Sequence, residues 1–577
     1  MNLTFLTKTF RILFLLSLFL FLKKEVNAQA PDWHWAKFIG DTSYDQCLSL
    51  TLDANGNIYT SGFFVGIVDF DPGNGVYNMN SNNYKNIFIC KMDSSGNFIW
   101  AKSMGQAGAL GEGRKIILDD SCNVYITGYY IGSVDFDPGP GIYNLSSAGA
   151  NDIFISKLDS SGNFLWARGV GGTGNDQAES IAVDRSGNSY ITGSFYSTVD
   201  FDPGLPVYNI TTTGDFDLFV LKLDMFGNFS WVKTIGNTYG VYGLSITSDT
   251  LVNLYLTGNF KDTVDFDTGP GVLNLISGGD ANSFILKLDS LGNTIWAKTF
   301  VSSYFNVGIF ITVDNQLNVY TTGWFKDYAD FDPDSPVFNL TSGFGIFISK
   351  LDNNGNFIWA KSIGGMHGGG VGSAIAFDDS KNIFITGDFY LTVDFDTGPG
   401  VFNLTSNSGD DVFVAKLDTM GNTIWAKSIG GSKDDHCFSI GLDALNNIYL
   451  GGYFKGPTLQ IGSEIRFNAD STNGSSDIFI AKLDHLITGI ETINKKDLIL
   501  LYPNPTPNYF TIELINDYKN VTVTIYDLTG KLIYSKFLLS STNINLNASD
   551  FTSGIYLVQI QTDKSIQTKR LSVSHFE

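Results

Sequence analysis

The chain has 577 residues, too many for one ordinary hydrophobic core. A formal charge of −22 argues against nucleic acid and anionic membrane surfaces as partners. Aromatics at 14%, 62 glycines and only 16% charged residues suit many short strands joined by Gly-containing turns, and four cysteines are too few for a disulfide scaffold.

Lys8 and Arg11 precede an apolar run from Ile12 to Leu22. As a helix this run would span roughly 16 Å, about half a bilayer core. Val26-Asn27-Ala28 then offers small residues for cleavage, so residues 1–28 read as a secretory signal peptide. Its removal takes away Lys8, Arg11, Lys23, Lys24 and Glu25 and moves the charge from −22 to −25. No later stretch is long and apolar enough to cross a membrane as a helix.

A repeat follows. Trp35, Trp100, Trp166, Trp231, Trp296, Trp359 and Trp425 are spaced by 65, 66, 65, 65, 63 and 66 residues. The repeat after Trp100 predicts strands over 113–119, 124–130, 152–159 and 164–168, joined in antiparallel fashion as one propeller blade. Turns such as Asp53-Ala54-Asn55-Gly56-Asn57 use the Asp carboxylate as acceptor and the Gly for its positive φ. Phe98 and Trp100 share one face of a strand and Ile99 and Ala101 the other, so the Trp residues read as packing between blades. The first repeat has only its fourth strand, Trp33 to Ile39; the last has three, ending at Asp484. Pairing the spare strand with the incomplete repeat closes a seven-bladed ring over residues 29–485. Cys90 reads as a small buried residue, and Cys47 and Cys437, at matching places in the first and last repeats, leave a bridge open as an alternative to two free thiols.

Asp184-Arg185-Ser186-Gly187-Asn188-Ser189-Tyr190-Ile191-Thr192-Gly193 and Phe479-Ile480-Ala481-Lys482-Leu483-Asp484 resemble the landmarks of the SBBP-type seven-bladed β-propeller repeats. The resemblance covers about 31–485 and implies a fold without a single shared activity. After a linker over 486–497, residues 498–577 change pattern. Leu501-Tyr502-Pro503-Asn504-Pro505, Asp527 with Gly530-Lys531, Ser553-Gly554-Ile555-Tyr556 and Lys569-Arg570-Leu571-Ser572-Val573 resemble, in order, the type A C-terminal sorting domain of the type IX secretion system of Bacteroidetes. This resemblance implies a small Ig-like β-sandwich, the type IX machinery as partner, and a mature protein that is secreted or attached to the outer surface. The expected fold class is thus all-β throughout.

In an up-and-down blade the short Asp-x-x-Gly-Asn turns share one face. The opposite face carries the longer loops, among them 105–113, 171–179 and 364–372, where function is expected. The sharpest local signal there is Val-Asp-Phe-Asp. Asp69 with Asp71, Asp135 with Asp137, Asp200 with Asp202, Asp265 with Asp267, and Asp394 with Asp396 put two carboxylates on one side of an extended segment, as Asp330 and Asp332 do. With loop carbonyls such pairs are candidate calcium ligands, calcium taking about 6–8 oxygens. The competing reading makes the Phe a plug and the second Asp a turn cap, and repetition favours it, since one active site needs no copies. His367 and His436, with Asp434 and Asp435 beside the latter, form a weaker candidate metal or acid–base site; His34, His485 and His575 are scattered. The spacing departs from the Asp-box of sialidases, and Arg114, Arg168, Arg185 and Arg466 do not make the Arg cluster a sialidase needs.

These readings predict a secreted or cell-surface monomer that binds an extracellular ligand, with a glycan or surface polymer as the candidate class and no nucleic acid. Two alternatives stay open: a polymer-degrading glycosidase or lyase on the loop face, and a structural surface protein without a specific ligand.

Overall fold

The computed structural model describes residues 30–334, 336–365, 368–461, 464–467, 475–484, 499–502, 506, 508–527, 531–562 and 566–573. The expected signal peptide, the linker, His367, His485 and His575 lie outside them. Every regular element among the described residues is a strand. The chain divides into two compact units, Met1–Leu486 and Ile487–Glu577.

The first unit is the propeller. In blade 1, Gln46–Leu52, Ile58–Phe64, Asn86–Met92 and Phe98–Met104 pair in that order, each antiparallel to the next. The first strands of blades 2 to 7 are Leu110–Leu118, Gln177–Val183, Val241–Ser248, Asn306–Val313, Gly369–Phe377 and Asp435–Leu442. Each touches the first strand of the next blade, and Asp435–Leu442 touches Gln46–Leu52, so the seven innermost strands form a cycle. Blade 7 continues with Ile448–Lys455 and Ser476–Leu483. Its fourth strand is Trp33–Ile39, antiparallel to Ser476–Leu483, with Trp35 opposite Lys482 and Ile39 opposite Ile478.

The middle strands are buried on both faces: every residue of Ile58–Phe64, Asp152–Leu158 and Ser189–Phe195 is buried. That is why they read as nearly continuous apolar runs rather than as alternating ones. Each first strand carries a bulge at the same place, between Cys47 and Ser49 in blade 1 and between Gly113 and Lys115 in blade 2. The bulge explains the Gly of each second strand. A Cβ on Gly62 would lie 1.8 Å from the Gln46 carbonyl, and one on Gly128 1.9 Å from that of Glu112.

The turns form as their sequence predicts. Asp53 Oδ1 accepts the N–H groups of Asn55 and Asn57, both at 2.9 Å, and Oδ2 accepts Asn57 Nδ2 at 2.8 Å. Each turn between third and fourth strands also receives the Trp of the preceding blade. Trp166 Nε1 donates to the Met225 carbonyl at 3.2 Å, and a Cβ on Gly227 would meet its indole at 3.0 Å. Cys47, Cys90 and Cys437 are free and fully buried. The Cys47 and Cys437 thiols donate instead to the Ser49 and Ser439 carbonyls.

The second unit has five strands, Ile499–Tyr502, Tyr509–Asp527, Leu532–Asn547, Gly554–Gln561 and Ile566–Val573. The two long strands shift register between Glu513 and Tyr518, and the core of this unit includes Ile512, Val523, Ile544, Val558 and Leu571. The Asp527 turn closes as in the propeller, Asp527 Oδ1 accepting Lys531 N–H at 3.0 Å.

Candidate functional site

The paired aspartates lie on short hairpins inserted between second and third strands, such as Ser133–Asp135 against Asn144–Ser146. Asp135 Oδ1 accepts the N–H of Asp137 at 3.1 Å and of Tyr143 at 2.8 Å, while Asp137 Oδ1 accepts Gly139 N–H at 2.8 Å. The pattern recurs for Asp69 and Asp71, Asp200 and Asp202, Asp265 and Asp267, Asp330 and Asp332, and Asp394 and Asp396. The intervening Phe70, Phe136, Phe201, Phe266, Phe331 and Phe395 are fully buried. The hairpins also reach back to the preceding blade, Gly171 pairing with Asp200 and Val301 with Asp330. The candidate calcium ligands thus close hairpins and clamp neighbouring blades. Among the described residues, no group of three or more His, Cys, Asp or Glu side chains is placed to hold a metal.

A second set of acids, of which sequence reading singled out only Asp435, lies at the junctions between blades. Asp45 Oδ2 accepts Asp41 N–H and its Oδ1 accepts Val65 N–H, both at 3.0 Å. Asp176 and Asp435 repeat this, taking Gly172 and Tyr196 or Gly431 and Lys455. Burial raises these carboxyl pKa values, to about 8 for Asp45 and Asp435 and about 7 for Asp176, against the opposing pull of the backbone donors. At the start of the third strands, Asp152 and Asp411 are likewise pushed up by burial to about 6.

The loop face carries the chemical variety. The residue after each second-strand Gly stands opposite the start of the first strand: Phe63 faces Gln46, Tyr129 faces Glu112, Trp324 faces Val307, Asp388 faces Val371 and Tyr453 faces His436. Aligning the repeats on that Gly is the signal that would have revealed this ring, since the neighbouring positions hardly vary while this one does. On blades 5 and 6 the rings form a ladder. Phe305 lies 6.0 Å from Trp324, Trp324 stacks on Phe344 at 4.8 Å and 21°, and Phe344 lies 6.2 Å from Tyr390. Phe305 is 39% exposed, and Trp324, Phe344 and Tyr390 are half-buried. Tyr196, Phe216 and Tyr242 form a second group. Further down the axis, Lys115 of blade 2 extends over the Phe310 ring of blade 5 at 5.2 Å, and burial lowers its pKa to about 8.

Of the two histidines among the described residues, His34 and His436, the latter is the more buried. Its Nδ1 lies 2.7 Å from Asp388 Oδ2, and Asp388 Oδ1 accepts Cys437 N–H at 2.9 Å. Burial acts to lower the imidazole pKa, but the hydrogen bond and charge of Asp388, helped by Asp410, outweigh it and hold the ring above its usual range. Three cations near this face are paired, Lys85 with Glu112 at 2.6 Å, Arg114 with Glu179 at 3.4 Å and Lys455 with Asp434 at 3.5 Å, while Lys326 Nζ lies over the Tyr304 ring at 5.5 Å. Arg168 donates to the carbonyls of Gly227 and Phe226.

Comparison with known proteins agrees with both units. Residues 165–199 match the family model of the β-propeller repeat, and residues 500–574 that of the secretion system C-terminal sorting domain. The sorting domain marks the chain for export to the cell surface or the medium. An uncharacterized WD repeat-containing protein of Acanthamoeba polyphaga mimivirus is 25% identical over 439 residues, 62% of this chain and 31% of that protein. The regulatory protein FlaEY of Caulobacter vibrioides is 24% identical over 145 residues, 25% of this chain and 15% of that protein. The chain therefore spans less than a third of the length of either relative. A fungal alcohol oxidase in complex with copper aligns over 94% of this chain and all of its own, at 10% identity and a TM-score of 0.30, which carries no argument about chemistry.

Proposed function

We propose that this β-propeller repeat protein, exported through its C-terminal sorting domain, is an extracellular binding module whose ligand, a glycan or other surface polymer, lies on the loop face. The observation that carries this reading is the ladder of Phe305, Trp324, Phe344 and Tyr390. Four partly exposed rings in a row, outside the closed cores of the blades, offer apolar faces to a ligand. Lys85, Arg114 and Lys455 on the same face are engaged by carboxylates, which reduces the positive charge offered to an anionic polymer.

A glycan screen with the secreted protein tests it. Trp324→Ala, at a half-buried position, is expected to weaken binding at least tenfold with little change in unfolding temperature. Retained binding in Trp324→Ala would move the site off the ladder. A degradative reading rests on His436 held by Asp388 near Asp410; new reducing ends released from a bound polymer, and lost in His436→Gln, would replace binding by catalysis.

A further inference from the structure

The bulge in each first strand leaves one residue without a partner across the sheet and re-aims the side chain it carries. These residues are Leu48, Arg114, Glu179, Leu244, Ile309, Ser373 and Phe438, near the loop-face end of the seven innermost strands. Only blades 2 and 3 place a charge there, Arg114 beside Glu179. Arg114 Nε lies 3.4 Å from Glu179 Oε2, and the two side chains are 32% and 21% exposed. The pair is matched in charge but not in hydrogen bonds. Neither side chain makes a hydrogen bond to a described residue; Arg114 Nε is closed to solvent, while its Nη groups and both Glu179 oxygens are open to it. Arg168, by contrast, donates to the carbonyls of Ala167, Phe226 and Gly227. What holds Arg114 instead is the Tyr129 ring, with Cζ 5.6 Å from its centroid.

One residue deeper, the axis is spanned. In blades 1, 3 and 4 the residue after the bulge is Ser49, Ser180 or Ser245, whose Oγ accepts an N–H from the first strand of the next blade. Blade 2 has Lys115 there and blade 5 has Phe310, and these two meet across the axis at 5.2 Å. They give the mouth on the loop face a floor. Phe310 stands opposite Thr322, and two residues nearer the loop face on that strand is Trp324, the middle of the aromatic ladder. Arg114 and Glu179 thus stand across the mouth from the ladder, over a gap that one lysine side chain spans.

We infer that Arg114 and Glu179 anchor the end of a neutral sugar chain, binding two adjacent hydroxyls while the following sugars lie against the rings of blades 5 and 6. The inference rests on the binding reading above and adds the polar contact and the part of the ligand that is bound. A guanidinium only donates and an ionised carboxylate only accepts, whereas a pair of neighbouring sugar hydroxyls does both. One oxygen accepts from an Arg114 Nη, and the other hydroxyl donates to Glu179. Hydrogen bonds to charged groups are the strong ones, so two of them suffice to orient a sugar ring. The pair has no net charge and so selects for neither sign. The floor of Lys115 and Phe310 admits a chain end and stops a chain from threading through.

The test is calorimetric titration of the full-length secreted protein with laminarihexaose, cellohexaose and mannohexaose, and with hexagalacturonic acid as an anionic control. Glu179→Gln and Arg114→Leu are each expected to weaken binding of a neutral hexamer about tenfold or more. Tm should hardly move, since Leu48 and Leu244 show that the bulge accepts an apolar residue. Glu179→Gln, which keeps the shape of the side chain, decides the matter if Arg114→Leu does not fold. With a longer chain of the same linkage, one protein is expected to bind per chain. Unchanged affinity in both variants would overturn the anchor while leaving the binding module intact. Several proteins on one long chain would overturn the seating of a chain end. Tighter binding of hexagalacturonic acid than of any neutral hexamer would overturn the neutral assignment. Binding of none of the four would overturn the anchor together with the glycan reading on which it rests.

Discussion

At the residue scale, aspartate does most of the polar work, and its role depends on what surrounds it. Asp135 holds two backbone N–H groups on a partly exposed hairpin, so Asp135→Ala should destabilise by about 1–3 kcal/mol through unpaired donors. Thermal unfolding with calcium and with chelator separates this role from metal binding. Carboxylates acting only as backbone acceptors leave Tm unmoved by calcium, whereas a calcium-dependent rise that Asp135→Asn with Asp137→Asn removes would make them ligands. The junction aspartates predict a pH effect of definite sign. Asp45 and Asp435 titrate near 8 when folded and at the ordinary 3.8 when unfolded, so the folded state binds more protons between those values. Their stabilising contribution is complete below 3.8 and is lost as pH rises through about 8. His436, raised above 6.5, acts in the same direction in the upper part of that window. Tm is therefore expected to fall between pH 5 and pH 8.5, and Asp45→Asn should flatten that slope whatever its effect on Tm itself. A rising Tm over this range would contradict the assignment.

At the element scale, legibility followed the strength of the local signal. The turns and the Trp strands were readable because each keeps its bonding Asp and Asn or its Trp for a local reason, even where Cys122, Val252, Leu317, Lys381 and Asn446 take the positive φ that Gly holds in other turns. The three-residue hairpin strands such as Ile67–Asp69 are too short to show a period, so their sequence read as extended segments whose Asp pairs were turn caps or candidate calcium ligands, with no hairpin foreseen. The first-strand bulges were illegible for another reason. The bulged positions hold Leu48, Arg114, Glu179 and Phe438, which share no chemistry, and the trace of the bulge is the Gly on the neighbouring strand. The Trp strands carry a direct prediction. Trp166 is 9% exposed and contacts its own Tyr125 as well as the turn of the next blade. Trp166→Ala should cost about 3–5 kcal/mol in chemical denaturation; less than about 1 kcal/mol would show that the junction repacks.

At the scale of the whole molecule, charge and ligand class are linked. A chain of charge −22 that binds a neutral sugar should do so with an affinity nearly the same at 50 mM and 500 mM salt, because no ion pairs are screened. A steep loss of affinity with salt would point to a cationic ligand instead. The candidate site was only half legible: the link at 364–372 was recognisable as a variable loop, whereas the ring of residues after each second-strand Gly, Trp324 and Asp388 among them, shows only when the seven blades are laid over one another.

The strand that completes blade 7 meets its partner some 450 residues later in the chain, as His34 does Asp484. Every other blade pairs its strands locally and can form as soon as it is made. The last closure cannot, and must wait for almost the entire propeller. Each doubling of a loop adds only about 0.6 kcal/mol to its closure, so the finished ring loses little stability by this arrangement. The effect is on timing. Long-range pairing is slow, and six assembled blades with an open edge would form the species that persists during folding. The step that makes the propeller a closed body therefore comes only after residues up to Leu483 are available.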